Sequence, residues 1–147
     1  MSPFDPRSAL FAKHAQHVVL IHFPIALFLV AVTLDILALR LRKEAWQEVV
    51  YCNLTIAALF TIPALLTGVA AWQWQLEGHH LKGILLLHLL GALLSSVMIW
   101  VSWWMHRRRG RGAAAGSVGL RLAVELLGVL SITVTGHLGG FLSGVNS

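Results

Sequence analysis

The sequence predicts an all-α integral membrane protein: a four-helix bundle with both chain termini on the periplasmic side. Three features point there. First, of 147 residues, 57% are hydrophobic and only 12% charged, whereas soluble domains carry about 25% charged residues. Second, the mean hydropathy is +0.76 and the apolar residues fall into four long runs. Third, the basic residues collect in alternate loops. A buried core helix of a soluble protein accounts for one such run but not for four.

The chain reads as one domain, residues 1–147, because no single crossing is stable alone in water. Met1 to Lys13 is short and polar, with Pro3 and Pro6, and suits a small interfacial turn. Between Val18 and Leu34 no residue is charged. That span approaches the roughly 20 apolar residues needed to cross a hydrocarbon core, and it exceeds a signal-peptide apolar region. A helix is expected over about 15–39. Pro24 lies inside it and removes one backbone hydrogen bond, which neighbouring helices in a membrane tolerate.

The second helix is expected over about 49–72. Thr55, Thr61, Thr67 and Gly68 within it suit close helix packing. Cys52 is the only cysteine, which excludes an intramolecular disulfide, and it is expected to pack as a small buried group. The third helix is expected over about 83–104, with Gly91 and Ser95 forming a small-residue stripe toward a neighbour. Trp46, Trp72, Trp74, Trp100, Trp103 and Trp104 sit near run ends as interfacial anchors. The fourth helix is expected over about 120–136. The glycine-rich tail from His137 onward reads as irregular.

The loops set the orientation. Arg40, Arg42 and Lys43 follow the first run, and Arg107, Arg108, Arg109 and Arg111 follow the third. The second loop has Lys82 and the N-terminus has Arg7 and Lys13. Basic excess in short loops marks the cytoplasmic side, so the first and third loops face the cytoplasm of a bacterial inner membrane. The net charge of +5 is explained by this bias and by anionic lipid. No aromatic-interleaved basic surface suggests nucleic acid.

Eight histidines remain to be explained. His106 stands beside an arginine run at the cytoplasmic end and reads as interfacial. The other seven, His14, His17, His22, His79, His80, His88 and His137, come from separate segments that the topology places at the outer end. Ionisable groups inside a membrane are costly and tend to face a cavity or a partner. Neutral imidazoles held by Thr61, Thr67, Thr133 or Thr135 are one reading. The leading reading is ligation of b-type haem near the periplasmic face by His22 and His88, with His17 and His137 supporting them or holding a second site. Covalent attachment is excluded because there is no Cys-x-x-Cys-His. The chain would then pass electrons, with a periplasmic cytochrome, a quinone or a larger respiratory complex as partner. The alternatives are a zinc or copper protein using the same histidines and a cofactor-free structural or anchor subunit. Asp35 and Glu125 read as end-of-helix residues reaching headgroup water, with Arg121, Arg40 or Arg42 as pairing partners.

The segments HVVLIHFPIALFLVAVTLDIL, TIPALLTGVAAW, LLLHLLGALLSS and TGHLGG resemble the four-helix bacterial membrane proteins of domain of unknown function 2231, over about His17 to Gly144. The resemblance implies the same four-helix fold and recurring histidines at His17, His22, His88 and His137. It supplies no activity, though similarity to proteins encoded near respiratory components favours redox chemistry. The family often has Pro after its first histidine, where this chain has Val18, and an acidic residue before the tryptophan closing the second helix, where this chain has Gln73.

Overall fold

A computed structural model describes residues 15–75, 81–109 and 118–143. It has four helices: α1 (Ala15–Leu41), α2 (Trp46–Gln75), α3 (Gly83–Arg109) and α4 (Val118–Leu142). All four are long and apolar enough to span a membrane. Each outlasts its apolar run because, in lipid, backbone groups must be satisfied within the helix itself. The same rule explains α4, which continues through Gly136, Gly139 and Gly140 to Leu142 where an irregular tail was expected. His137 is therefore helical. The N-terminal turn, His14, His79, His80 and Arg111 lie outside the described residues.

The bundle is built from two hairpins. α1 packs chiefly on α2 and α3 chiefly on α4, while α2 meets α3 more sparsely and α1 meets α4 more sparsely still. Phe28, Ala31, Val32, Val50, Leu54, Ala57, Ala58, Ile99 and Ile132 form the core. Leu59, Leu66, Leu87, Leu127 and Leu130 point outward, where hydrocarbon would cover them. Cys52 is also exposed, against the expectation of burial. The α1–α2 turn closes with Arg42 at φ 53° and Lys43 N donating to the Ala38 carbonyl at 2.9 Å, a left-handed helix cap.

Small residues bring the helices together. Ser95 and Ser131 share a hydrogen bond of 2.8 Å, and Gly91 lies directly against the Thr135 side chain, as the small-residue stripe on α3 leads one to expect. Trp100 Nε1 donates to Thr61 Oγ1 and Trp103 Nε1 to Thr55 Oγ1, both at 3.1 Å, tying α3 to α2. At Gly128 a Cβ would stand 2.8 Å from the Phe28 ring and 3.2 Å from Met98 Cβ. Phe28 is fully buried and has nowhere to retreat. Gly128→Val is expected to cost about 1–3 kcal/mol by overpacking, read as a lower midpoint of unfolding in mixed detergent micelles.

Candidate metal centre

One end of the bundle holds a buried polar cluster to which every helix contributes. Asp35 comes from the last turns of α1, Gln47 from the start of α2, His106 from the end of α3, and Arg121 and Glu125 from the start of α4. Asp35 is 0%, Glu125 1%, Arg121 4% and His106 6% exposed. The four-residue spacing of Arg121 and Glu125 puts both on one helix face, and α4 turns that face inward.

The contacts form a chain. Gln47 Nε2 donates to Asp35 Oδ1 at 2.7 Å. Arg121 Nη2 lies 2.8 Å from Asp35 Oδ2, but the N–H directions miss the oxygen, so neither atom completes a hydrogen bond there. The contact is one of charge without alignment. His106 Nε2 meets Glu125 Oε1 at 2.9 Å. Among the described residues, Glu125 Oε2, Gln47 Oε1, Arg121 Nε and Ser102 Oγ are buried without a hydrogen-bond partner. Buried polar groups are normally paired, so this cluster holds unused donor and acceptor capacity.

The expectations that Asp35 and Glu125 are end-of-helix groups in headgroup water, and that His106 is merely interfacial, therefore fail. All three are interior. The expected pairing of Asp35 with Arg121 is present. Ligand atoms of Asp35, His106 and Glu125 lie within 4.8 Å of one another. Zinc–nitrogen and zinc–oxygen bonds are about 2.0–2.2 Å long. A modest contraction would thus bring one imidazole and two carboxylates onto a single ion, with Arg121 moving aside.

The histidines expected to form the site lie toward the other end. His17 is half-buried, and its Nδ1 faces Thr67 Oγ1 at 3.2 Å. His88 is half-buried, with Nδ1 on the Thr135 carbonyl at 3.0 Å. Threonine partners for two imidazoles are thus realised. His22 is exposed, and its Nδ1 is taken by the Val18 carbonyl of its own helix. His137 is exposed and stands edge-on to Phe141, with ring centroids 5.0 Å apart.

Residues 13–145 match the family described as Predicted membrane protein (DUF2231). The chain belongs to the DUF2231 family. With its four spanning-length helices, this DUF2231 member is a multi-pass membrane protein. No curated protein and no solved structure matches it.

Proposed function

We propose that this DUF2231 protein binds a divalent transition-metal ion, with zinc as the reference case, inside the bundle at Asp35, His106 and Glu125. The observation that carries the reading is Glu125 Oε2. It is a carboxylate oxygen buried without a hydrogen-bond partner among the described residues, in a cluster that already gathers three ligand residues within 4.8 Å. Imidazole with carboxylate suits zinc and its first-row neighbours. The ion would join α1, α3 and α4, including the sparse contact between α1 and α4. A haem iron with two axial histidines would need two imidazoles aimed at one interior, and this cluster offers one. Haem ligation and electron transfer therefore gain no support from this cluster.

The basic residues supply the orientation. Arg40, Arg42 and Lys43 flank the cluster on one hairpin, and Arg107 and Arg108 on the other. Arg107 and Arg108 also stack on Trp103 and Trp104, at 5.2 and 3.9 Å from the ring centroids. This is a basic and aromatic collar of the kind found at a cytoplasmic interface. The metal site then lies inside the cytoplasmic end of the bundle in a bacterial inner membrane, with both termini outside.

Zinc titration of chelator-stripped protein in detergent tests the assignment. The wild type is expected to bind one equivalent at this site. Glu125→Gln, close in shape but without charge, is expected to weaken binding by about 10–100-fold or more, the range seen even for groups that only support a ligand. Equal affinity in wild type and Glu125→Gln, or no zinc uptake by either, would sink the proposal.

A further inference from the structure

Where α3 faces α2 the bundle is partly open. α3 reaches α2 through two indoles, with Trp100 donating to Thr61 and Trp103 to Thr55. Beside them lies a groove of about 550 Å³, bordered by Ile62 and Leu65 of α2 and by Leu93, Val97, Trp100 and Trp104 of α3. Trp100 and Trp103 stand edge to face with centroids 5.4 Å apart, which makes an aromatic wall. Two hydroxyls also border the groove, and both are spent. Ser96 Oγ donates to the Ala92 carbonyl at 2.8 Å. Thr61 Oγ1 donates to the Ala58 carbonyl at 2.6 Å and accepts from Trp100. What fits such a lining is hydrocarbon.

The length of the groove fits one leaflet. Leu93 and Trp104 are 11 residues apart on α3, about 16 Å at 1.5 Å per residue. Half of a hydrocarbon core about 30 Å thick is about 15 Å. One end of the groove is charged. Trp103 and Trp104 border that end, and the guanidinium carbons of Arg107 and Arg108 stand 5.2 and 3.9 Å from their ring centroids. Both arginines are exposed, and among the described residues neither pairs with a carboxylate. Stacking on an indole holds a guanidinium in place and leaves its planar fork of N–H donors free. Such forks grip phosphate oxygens two at a time.

We propose that the α2–α3 groove binds one anionic phospholipid from the leaflet that meets the arginine collar. An acyl chain lies along Leu93, Val97 and Trp100, and the headgroup phosphate meets Arg107 and Arg108. In the orientation proposed above this is the cytoplasmic leaflet. Basic pockets between spanning helices on that side bind anionic headgroups. The groove turns a general attraction into a site, because a chain against its walls adds many small dispersion contacts to the charge pairing. The lipid site does not depend on the metal: His106 is buried within the bundle, whereas Arg107 and Arg108 are exposed.

The test uses the full chain, delipidated in dodecylmaltoside, with dioleoylphosphatidylglycerol and dioleoylphosphatidylcholine as probes. Native mass spectrometry counts the lipids retained and gives their apparent affinities. One phosphatidylglycerol is expected per chain, held about tenfold or more tighter than phosphatidylcholine, the order that two arginines supply at an anionic surface. Arg107→Gln with Arg108→Gln removes the charge from exposed positions and is expected to abolish the preference. Val97→Trp fills the groove from an exposed position and is expected to lose the tightly held phosphatidylglycerol with both arginines intact. Leu127→Trp, exposed on α4, is the control and is expected to change nothing. Helical circular dichroism matching the wild type establishes that each variant is folded. Equal retention of the two lipids by the wild type overturns the proposal. So does a tightly held phosphatidylglycerol that survives Val97→Trp, which makes the arginines a general collar. A wild-type dimer that Val97→Trp disperses also overturns it, because a second copy of the chain is then the occupant.

Discussion

Asp35→Ala is expected to destabilise the bundle by about 3–5 kcal/mol, the range for removing one partner of a buried ion pair. Asp35 is fully buried and faces both Gln47 and Arg121. Its loss leaves the Arg121 guanidinium, 4% exposed, with one fewer counter-charge in a medium of low dielectric. The double variant Asp35→Leu with Arg121→Met removes both charges and keeps most of the volume. It is expected to recover most of the loss, because a well-packed apolar pair often matches a buried ionic one. Unfolding in graded mixtures of dodecylmaltoside and sodium dodecyl sulfate measures both. A cost below about 1 kcal/mol for Asp35→Ala would place the pair in the class of solvent-screened surface bridges.

The fold was legible because its cause is written locally. About twenty apolar residues in a row make a spanning helix whatever their neighbours do. The acidic cluster was not legible because each member looks ordinary beside its own neighbours. Asp35 precedes Arg40, and His106 precedes three arginines. Only the meeting of α1, α3 and α4 makes them one site. One local signal was available: Arg121 and Glu125, opposite charges four residues apart at the head of an apolar run, announce a polar helix face that lipid would not tolerate.

At the other end, the sequence pairs His22 with His88, but position along a helix carries no information about facing. His22 lies exposed on α1, whereas His17, five residues earlier, reaches Thr67. Five residues turn an α-helix by about 140°, enough to separate an outward histidine from an inward one. The tail of α4 departs from its expected irregular form for a related reason. Glycines that break helices in water are tolerated in a helix surrounded by lipid, where leaving the helix would strand backbone groups.

Arg121→Gln is expected to tighten zinc binding at the Asp35, His106 and Glu125 site by about tenfold or more. The guanidinium is a cation fixed to the chain and stands 2.8 Å from Oδ2 of Asp35, one of the candidate ligands. With His106 neutral, Asp35, Glu125 and Arg121 sum to one negative charge, and a divalent ion would leave an excess positive charge in the bundle. Without Arg121 the two carboxylates neutralise the ion. A unit charge at 4 Å contributes about 4 kcal/mol at an effective dielectric of 20, and each 1.4 kcal/mol is about a tenfold change in affinity. A tenfold gain therefore leaves ample room for the work of drawing the ligands together. The same change should destabilise the metal-free protein, since Asp35 would keep only Gln47 opposite it, so zinc should raise the unfolding midpoint more in Arg121→Gln than in wild type. Arg121→Lys, which keeps the charge, is the control and should bind zinc much as the wild type does. If Arg121→Gln instead binds zinc more weakly, the guanidinium organises the two carboxylates for the ion rather than competing with it. The cluster would then be an ion-pair lock between the hairpins with metal affinity only as a by-product.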